Sequence, residues 1–154
     1  MQPVEIKDIK NDDFEIWLPL WKSYQRFYEV DIPDSVTHKT WIRFLDPLEP
    51  IHAALAMVDG QAVGLVHFIY HRSTWATSDD CYLQDLFVAA DGRGNGVGRA
   101  LIEHVYANAK SRGVSRVYWL THEYNHNARQ LYDRIANRLS LIHISEPTRQ
   151  EAIS

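Results

Sequence analysis

A chain of 154 residues, 45% hydrophobic and 23% charged, fits one compact domain with a real core. Its formal net charge of −4 excludes a dedicated nucleic-acid binder, because neutralising phosphates needs a clustered basic surface. The single cysteine, Cys81, leaves no internal disulfide, and neither an apolar signal core nor a bilayer-length apolar run is present, so a cytoplasmic protein without a membrane partner is expected.

Val4 to Ile9 alternates and predicts a short strand. Asp12 or Asp13 is placed to cap a helix running to about Tyr28, with Trp17, Leu20, Trp21, Tyr24 and Tyr28 at helical spacing. Pro19 either sits within the first turns of that helix or splits it. Pro33 and Ser35 open a second helix, Val36 to Leu45, stopped by Pro47 and Pro50. His52 to Val58, Asp59-Gly60 and Gln61 to Tyr70 predict a hairpin on a type I′ turn. Cys81 to Val88 is a further strand. Gly96 to Arg112 is an amphipathic helix closed by Gly113, Val114 to Thr121 a strand, and Asn127 to Ala136 a short helix. A hairpin followed by alternating helices and strands gives a mixed α/β sheet in a single domain, residues 1–137.

Between the strand ending at Val88 and the next helix lies Asp91-Gly92-Arg93-Gly94-Asn95-Gly96-Val97-Gly98-Arg99. Glycines let the backbone approach an anion closely, and a helix start points free N–H groups at it. A pyrophosphate suits such a loop; a plain strand-to-helix turn is the competing reading. A Walker loop needs Gly-Lys-Ser/Thr at its end, but Gly98 is followed by Arg99 and Ala100. The dinucleotide fingerprint G-x-G-x-x-G also fails: counted from Gly92, Gly94 or Gly96, its last position falls on Val97, Arg99 or Leu101. The pattern that fits is R-x-x-G-x-G, from Arg93 to Gly98.

With Leu86-Phe87-Val88 before it and a helix after it, this loop resembles the acetyl-CoA motif of the GNAT superfamily of N-acetyltransferases. The order from Tyr82 to Val88, the loop, and Glu123-Tyr124-Asn125 through Leu131-Tyr132 is similar to the spermidine/spermine and related small-amine enzymes. The resemblance implies a twisted mixed sheet splayed around a CoA cleft with flanking helices, acetyl-CoA as co-substrate, and a small amine as acceptor. A homodimer is an assembly open to such a chain, and no metal is implied.

By this resemblance Leu86, Phe87 and Val88 line the pantetheine, and the Val88 N–H polarises the thioester carbonyl. Equally, all three fill a core strand. Arg93, Gly94, Asn95, Gly96, Val97, Gly98 and Arg99 wrap the pyrophosphate, although the two arginines also suit solvated surface positions. Asn125, Asn127 and Ala128 contact CoA, with a helix cap as the other role for Asn125. Tyr132 protonates the departing thiolate; packing beside Leu131 and Ile135 is its alternative. Tyr28, Glu29, Gln84 and Asp85 border the acceptor, whereas an aromatic stripe such as Trp17-Trp21-Tyr24-Tyr28 also reads as core.

An alkylammonium must lose a proton before its nitrogen can attack, so a base is required. The small-amine enzymes often carry Glu where this chain has Gln84, and an amide is no base. Asp85, Glu123 and His122 remain, with Glu123 favoured and a surface carboxylate as its alternative. Gln84 and Asp85 fall on opposite strand faces. His67, His71, His104 and His126 show no metal spacing with one another.

Residues 138–154 depart from the family pattern: no Gly-Phe follows the Tyr132 helix, and Ser140 to Arg149 reads like translated adapter sequence. Leu139 to Ser145 still permits a strand, but little native structure is expected beyond Asn137. Two other functions compete with small-amine acetylation: acetylation of a protein lysine or N-terminus, and non-catalytic acyl-CoA binding.

Overall fold

A computed structural model describes residues 3–122 and 150–153, the backbone alone for 121–122 and 150–153. Its strands are β1 (Glu5–Asp8), β2 (Ile51–Val58), β3 (Gln61–His71), β4 (Asp80–Val88), β5 (Arg116–His122) and β6 (Gln150–Ile153). The helices are α1 (Phe14–Phe27), α2 (Asp34–Leu45) and α3 (Val97–Ser111), with 3-10 turns at Asn11–Asp13 and Ala90–Gly92. The sheet runs β1-β2-β3-β4-β5-β6 and is open. It is mixed: β1 is antiparallel to β2, β4 parallel to β5, and β5 antiparallel to β6. Such a parallel neighbour needs a crossover, and α3 supplies it. Among the described residues no helix is long and apolar enough to cross a membrane.

The chain divides into two compact units, Met1–Phe68 with Asp85–His104, and Ile69–Gln84 with Val105–Ser154. The first is built around α1. Its apolar positions recur at helical spacing, burying Trp17, Leu20 and Trp21 with Gln25 on one face. Trp17 is 0% exposed, with ring centroids 5.0 Å from Trp41, 5.7 Å from Phe44 and 5.9 Å from Phe14. Leu55, Leu65 and Phe87 complete this core. Burying each such side chain contributes roughly 1.5–3 kcal/mol.

Asp13 does not cap α1 with its side chain. Its carboxylate turns back instead, accepting the Lys10 N–H at 2.8 Å and the Lys7 ammonium at 2.9 Å. The 3-10 turn thus takes the cap that the sequence assigned to the helix. Pro19 lies inside α1 without splitting it. Proline removes one helical N–H; here both Pro19 and Glu15, four residues earlier, are exposed, so water can satisfy the freed carbonyl. The hairpin turn has φ of 51° at Asp59 and 75° at Gly60, as a type I′ turn requires.

Gly64 lets β3, β4 and α3 approach one another. A Cβ there would lie 3.0 Å from the Phe87 carbonyl oxygen, 3.0 Å from Val97 Cγ1 and 3.1 Å from Leu101 Cδ1. Asp8 ties β1 to α3, its carboxylate lying 2.9 Å from His104 Nε2.

In the second unit, Asp80–Leu83 pairs in register with Arg116–Trp119. Cys81, Leu83, Val117 and Trp119 are buried, as are Val105 and Ala109 of α3. The Tyr106 ring lies 6.1 Å from that of Trp119. Tyr82 and Tyr118, on the other face, stack at 4.9 Å. Burial raises the Cys81 thiol to about 12, against a hydrogen bond with Tyr70 and the Arg112 charge, which lower it. α3 closes with Val114 N–H to Ala109 O at 2.9 Å and Gly113 N–H to Lys110 O at 3.1 Å, a Schellman arrangement.

The predicted helix Asn127–Ala136 and strand Leu139–Ser145 lie outside the described residues. Within the tail, Gln150–Ile153 pairs antiparallel with Trp119–His122, so this part adds a strand where little structure was expected.

Gly64→Ala is expected to cost about 1–3 kcal/mol by overpacking, read by urea denaturation at neutral pH. The Asp8 carboxyl is held below its ordinary 3.8, first by its hydrogen bond to His104, against burial, with the His104 and His52 charges adding to the effect. A depressed carboxyl contributes stability above its unfolded value and loses it as pH falls through the folded one. Asp8→Asn should therefore lower stability at pH 5 and flatten its fall as pH drops below the ordinary carboxylate value, followed by denaturant titration at each pH.

Candidate active site

At the end of β4 the chain turns away from the sheet. Ala89 N–H still bonds the Val63 carbonyl at 2.8 Å, and the 3-10 turn that follows is pressed onto β3: a Cβ on Gly92 would meet Val63 Cβ at 2.7 Å. Beyond it the loop opens. Gly94 and Gly96 hold φ of 84° and 74° with nothing within 4 Å of an added Cβ. These left-handed conformations favour glycine, and the open space leaves the backbone accessible.

Val97 is buried and anchors the start of α3, whose first main-chain bond from the loop is Ala100 N–H to Gly96 O at 3.0 Å. The first turn carries no acidic side chain, and its earlier N–H groups have no intrahelical acceptor. This combination fits a pyrophosphate. Arg93 is exposed, with Nε 3.3 Å from the Val88 carbonyl, and Arg99 pairs with Glu103 at 2.9 Å. Asn95 and Gly98 are half-buried.

On β4, Phe87 belongs to the core while Leu86 and Val88 are half-buried. The register of β4 with β5 runs from Asp80↔Arg116 to Leu83↔Trp119.

A chain of hydrogen bonds crosses the first unit. Tyr24 O–H donates to Asp85 Oδ1 at 2.7 Å, His67 Nδ1 lies 2.9 Å from Asp85 Oδ2, and Trp17 Nε1–H donates to His67 Nε2 at 3.0 Å. An indole nitrogen only donates, so Nε2 must accept and the ring proton sits on Nδ1, aimed at Asp85. His67 is therefore neutral, and both neighbours of the Asp85 carboxylate are neutral donors. Among the described residues no cation lies within ion-pair reach of Asp85. Its side chain is 13% exposed and that of His67 3%.

Asp85 and Gln84 do diverge as expected: Gln84 is exposed. Tyr24 and Tyr28 are half-buried, their rings 4.8 Å apart. Glu29 follows with φ of 56°, a strained conformation for a residue with a Cβ. It is held there by Val30 N–H to Gln25 O at 2.9 Å and Glu29 N–H to Arg26 O at 3.2 Å.

Glu123, Asn125, Asn127, Ala128 and Tyr132, and the His122 side chain, lie outside the described residues. No group of metal-ligating side chains occurs among those described. Sequence reasoning missed His67 as the partner of Asp85 and Trp17 as the partner of His67. The available signal was a histidine in the apolar β3 run, a polar side chain that needs a partner once buried.

The description of the Acetyltransferase (GNAT) family matches residues 7–136. The D-amino-acid N-acetyltransferase HPA3 of Saccharomyces cerevisiae is 40% identical over 135 residues, covering 86% of this chain and 84% of that protein. The thialysine N-epsilon-acetyltransferase of Caenorhabditis elegans is 28% identical over 85 residues, covering 55% and 52%. The aminoglycoside N-acetyltransferase AAC(6')-Iy in complex with CoA shares the fold at TM-score 0.75 and 20% identity, with 88% of each chain covered. The glycine loop at the start of α3, the open mixed sheet and these likenesses agree: the chain belongs to the GNAT acetyltransferase family and is an N-acetyltransferase that uses acetyl-CoA.

Proposed function

We propose that the acceptor is the primary amine of a small, amino-acid-like molecule. The observation that carries this reading is the 40% identity, over most of both chains, to an enzyme named for D-amino acids; the likeness to a thialysine enzyme points the same way. Acetyl-CoA supplies the acetyl group as a thioester. The amine nitrogen bonds to the carbonyl carbon, the C–S bond breaks, and the sulfur leaves with the bonding pair.

In this reading the main chain of Arg93 to Arg99 binds the pyrophosphate, with Asn125, Asn127 and Ala128 adding contacts. Leu86, Phe87 and Val88 align the pantetheine, and the Val88 N–H polarises the thioester carbonyl. Glu123 takes the ammonium proton, a role the Gln84 amide cannot fill. Tyr132 returns a proton to the sulfur. Tyr28, Glu29, Gln84 and Asp85 border the acceptor. Residues 1–137 form the catalytic domain, and 138–154 are an atypical tail.

An acceptor screen tests the substrate class, following release of the CoA thiol with D- and L-amino acids, thialysine, ornithine, polyamines and basic peptides. Small amino acids should turn over fastest; turnover of peptides alone would overturn the reading. Gly96→Val should abolish acetyl-CoA binding in a folded protein, since valine resists positive φ and its side chain fills the open backbone. Unchanged affinity, measured by calorimetry, would make the loop a simple turn. Tyr132→Phe removes only a hydroxyl and should slow turnover roughly 10²–10⁴-fold while acetyl-CoA affinity is retained. An undiminished rate would remove Tyr132 from the mechanism.

A further inference from the structure

We infer that His67 is a positioning residue whose tautomer is locked by Trp17, so that Asp85 faces the acceptor as an oriented anion with no cationic partner among the described residues. This rests on the acceptor being cationic, as proposed above. A carboxylate that is largely shielded from water is costly to hold unless its oxygens are bonded. Here each oxygen has one neutral donor, from Tyr24 and His67. The charge is thus solvated but, among the described residues, not neutralised, which leaves it available to an ammonium.

The lock is one-directional. To become imidazolium, His67 would need a proton on Nε2, where the Trp17 N–H already points from 3.0 Å. Two donors would then face each other inside the core. Rotation is resisted as well, because Trp21 packs against the imidazole at 4.7 Å and Phe44 at 4.9 Å. Neighbours from α1 are Trp17, Trp21 and, through Asp85, Tyr24; from α2, Phe44; from β4, Asp85 itself. Asp85 is the one charged group bonded to His67 among the described residues. An unlocked histidine would protonate as pH falls and pair with Asp85, and its charge would then repel a cationic acceptor.

Trp17→Phe keeps an aromatic ring and removes the lock. Its KM for the best amine acceptor should gain an ionisation between about pH 5 and 8 that the parent lacks, rising on the order of tenfold on the acid side. The double variant Trp17→Phe with His67→Asn should lose that ionisation, because asparagine can donate to Asp85 but cannot take up a proton. A merely structural role for His67 would produce no such pair of profiles. Unaltered pH dependence of KM in folded Trp17→Phe overturns the inference.

The parent protein supplies a measurement that needs neither turnover nor a variant that folds poorly. Two-bond proton–nitrogen NMR, with His67 assigned by its loss in His67→Asn, should show the Nδ1–H tautomer unchanged from pH 8 to 5. A proton on Nε2, or titration in that range, overturns the lock. Failure to acetylate any amine, with the tautomer as described, would instead count against the proposed substrate class.

Discussion

The indole N–H of Trp17 has to find an acceptor inside an aromatic core, and the acceptor it finds sets the state of the site. An unmet buried donor costs about 1–3 kcal/mol, so the bond to His67 Nε2 is strongly favoured over its absence. Trp21, one turn later, buries its own Nε1 without a partner among the described residues. The core therefore tolerates an unpaired indole, and the Trp17 bond is a specific feature rather than a general habit of this helix. It passes a constraint from α1 through β3 to β4, and each link is a single proton with one allowed position.

Much of the frame is visible in the residues. Trp17, Leu20 and Trp21 announce a helix face because burial needs a stripe. Asp59-Gly60 announces a hairpin because few residues accept positive φ twice in succession. Arg93 to Gly98 announces an anion site because close backbone approach requires missing side chains. What the pattern does not carry is pairing at a distance. Nothing local tells that His67 meets Trp17, fifty residues earlier, or that Asp13 prefers Lys10 to the helix it precedes. Side-chain hydrogen bonds between elements depend on register and rotamer, which one sequence does not encode in any short window.

The loop and the core share a support. Gly92 rests on Val63, and Gly64, next to Val63, admits Phe87 and Val97. The open part of the loop is confined to Gly94 through Gly96, with close contacts at Gly92 before it and the buried Val97 after it. An anion-binding turn needs this division, since the N–H groups must be free to point outward while their helix stays fixed. Glu29 shows the same economy at the end of α1, where two main-chain hydrogen bonds hold a side-chain-bearing residue in a conformation usually left to glycine.

Cys81 gives the molecule a chemical silence. It is the chain's one cysteine, it is 0% exposed, and burial raises its thiol to about 12. Nucleophilic sulfur is the thiolate, so at neutral pH this side chain offers neither access nor reactive form to disulfides or electrophiles. Each turnover of the enzyme releases a free thiol, that of CoA, within reach of the protein. A chain with an accessible thiolate would exchange with CoA disulfide formed when that thiol is oxidised, and accumulate mixed disulfides; Cys81 offers no such handle.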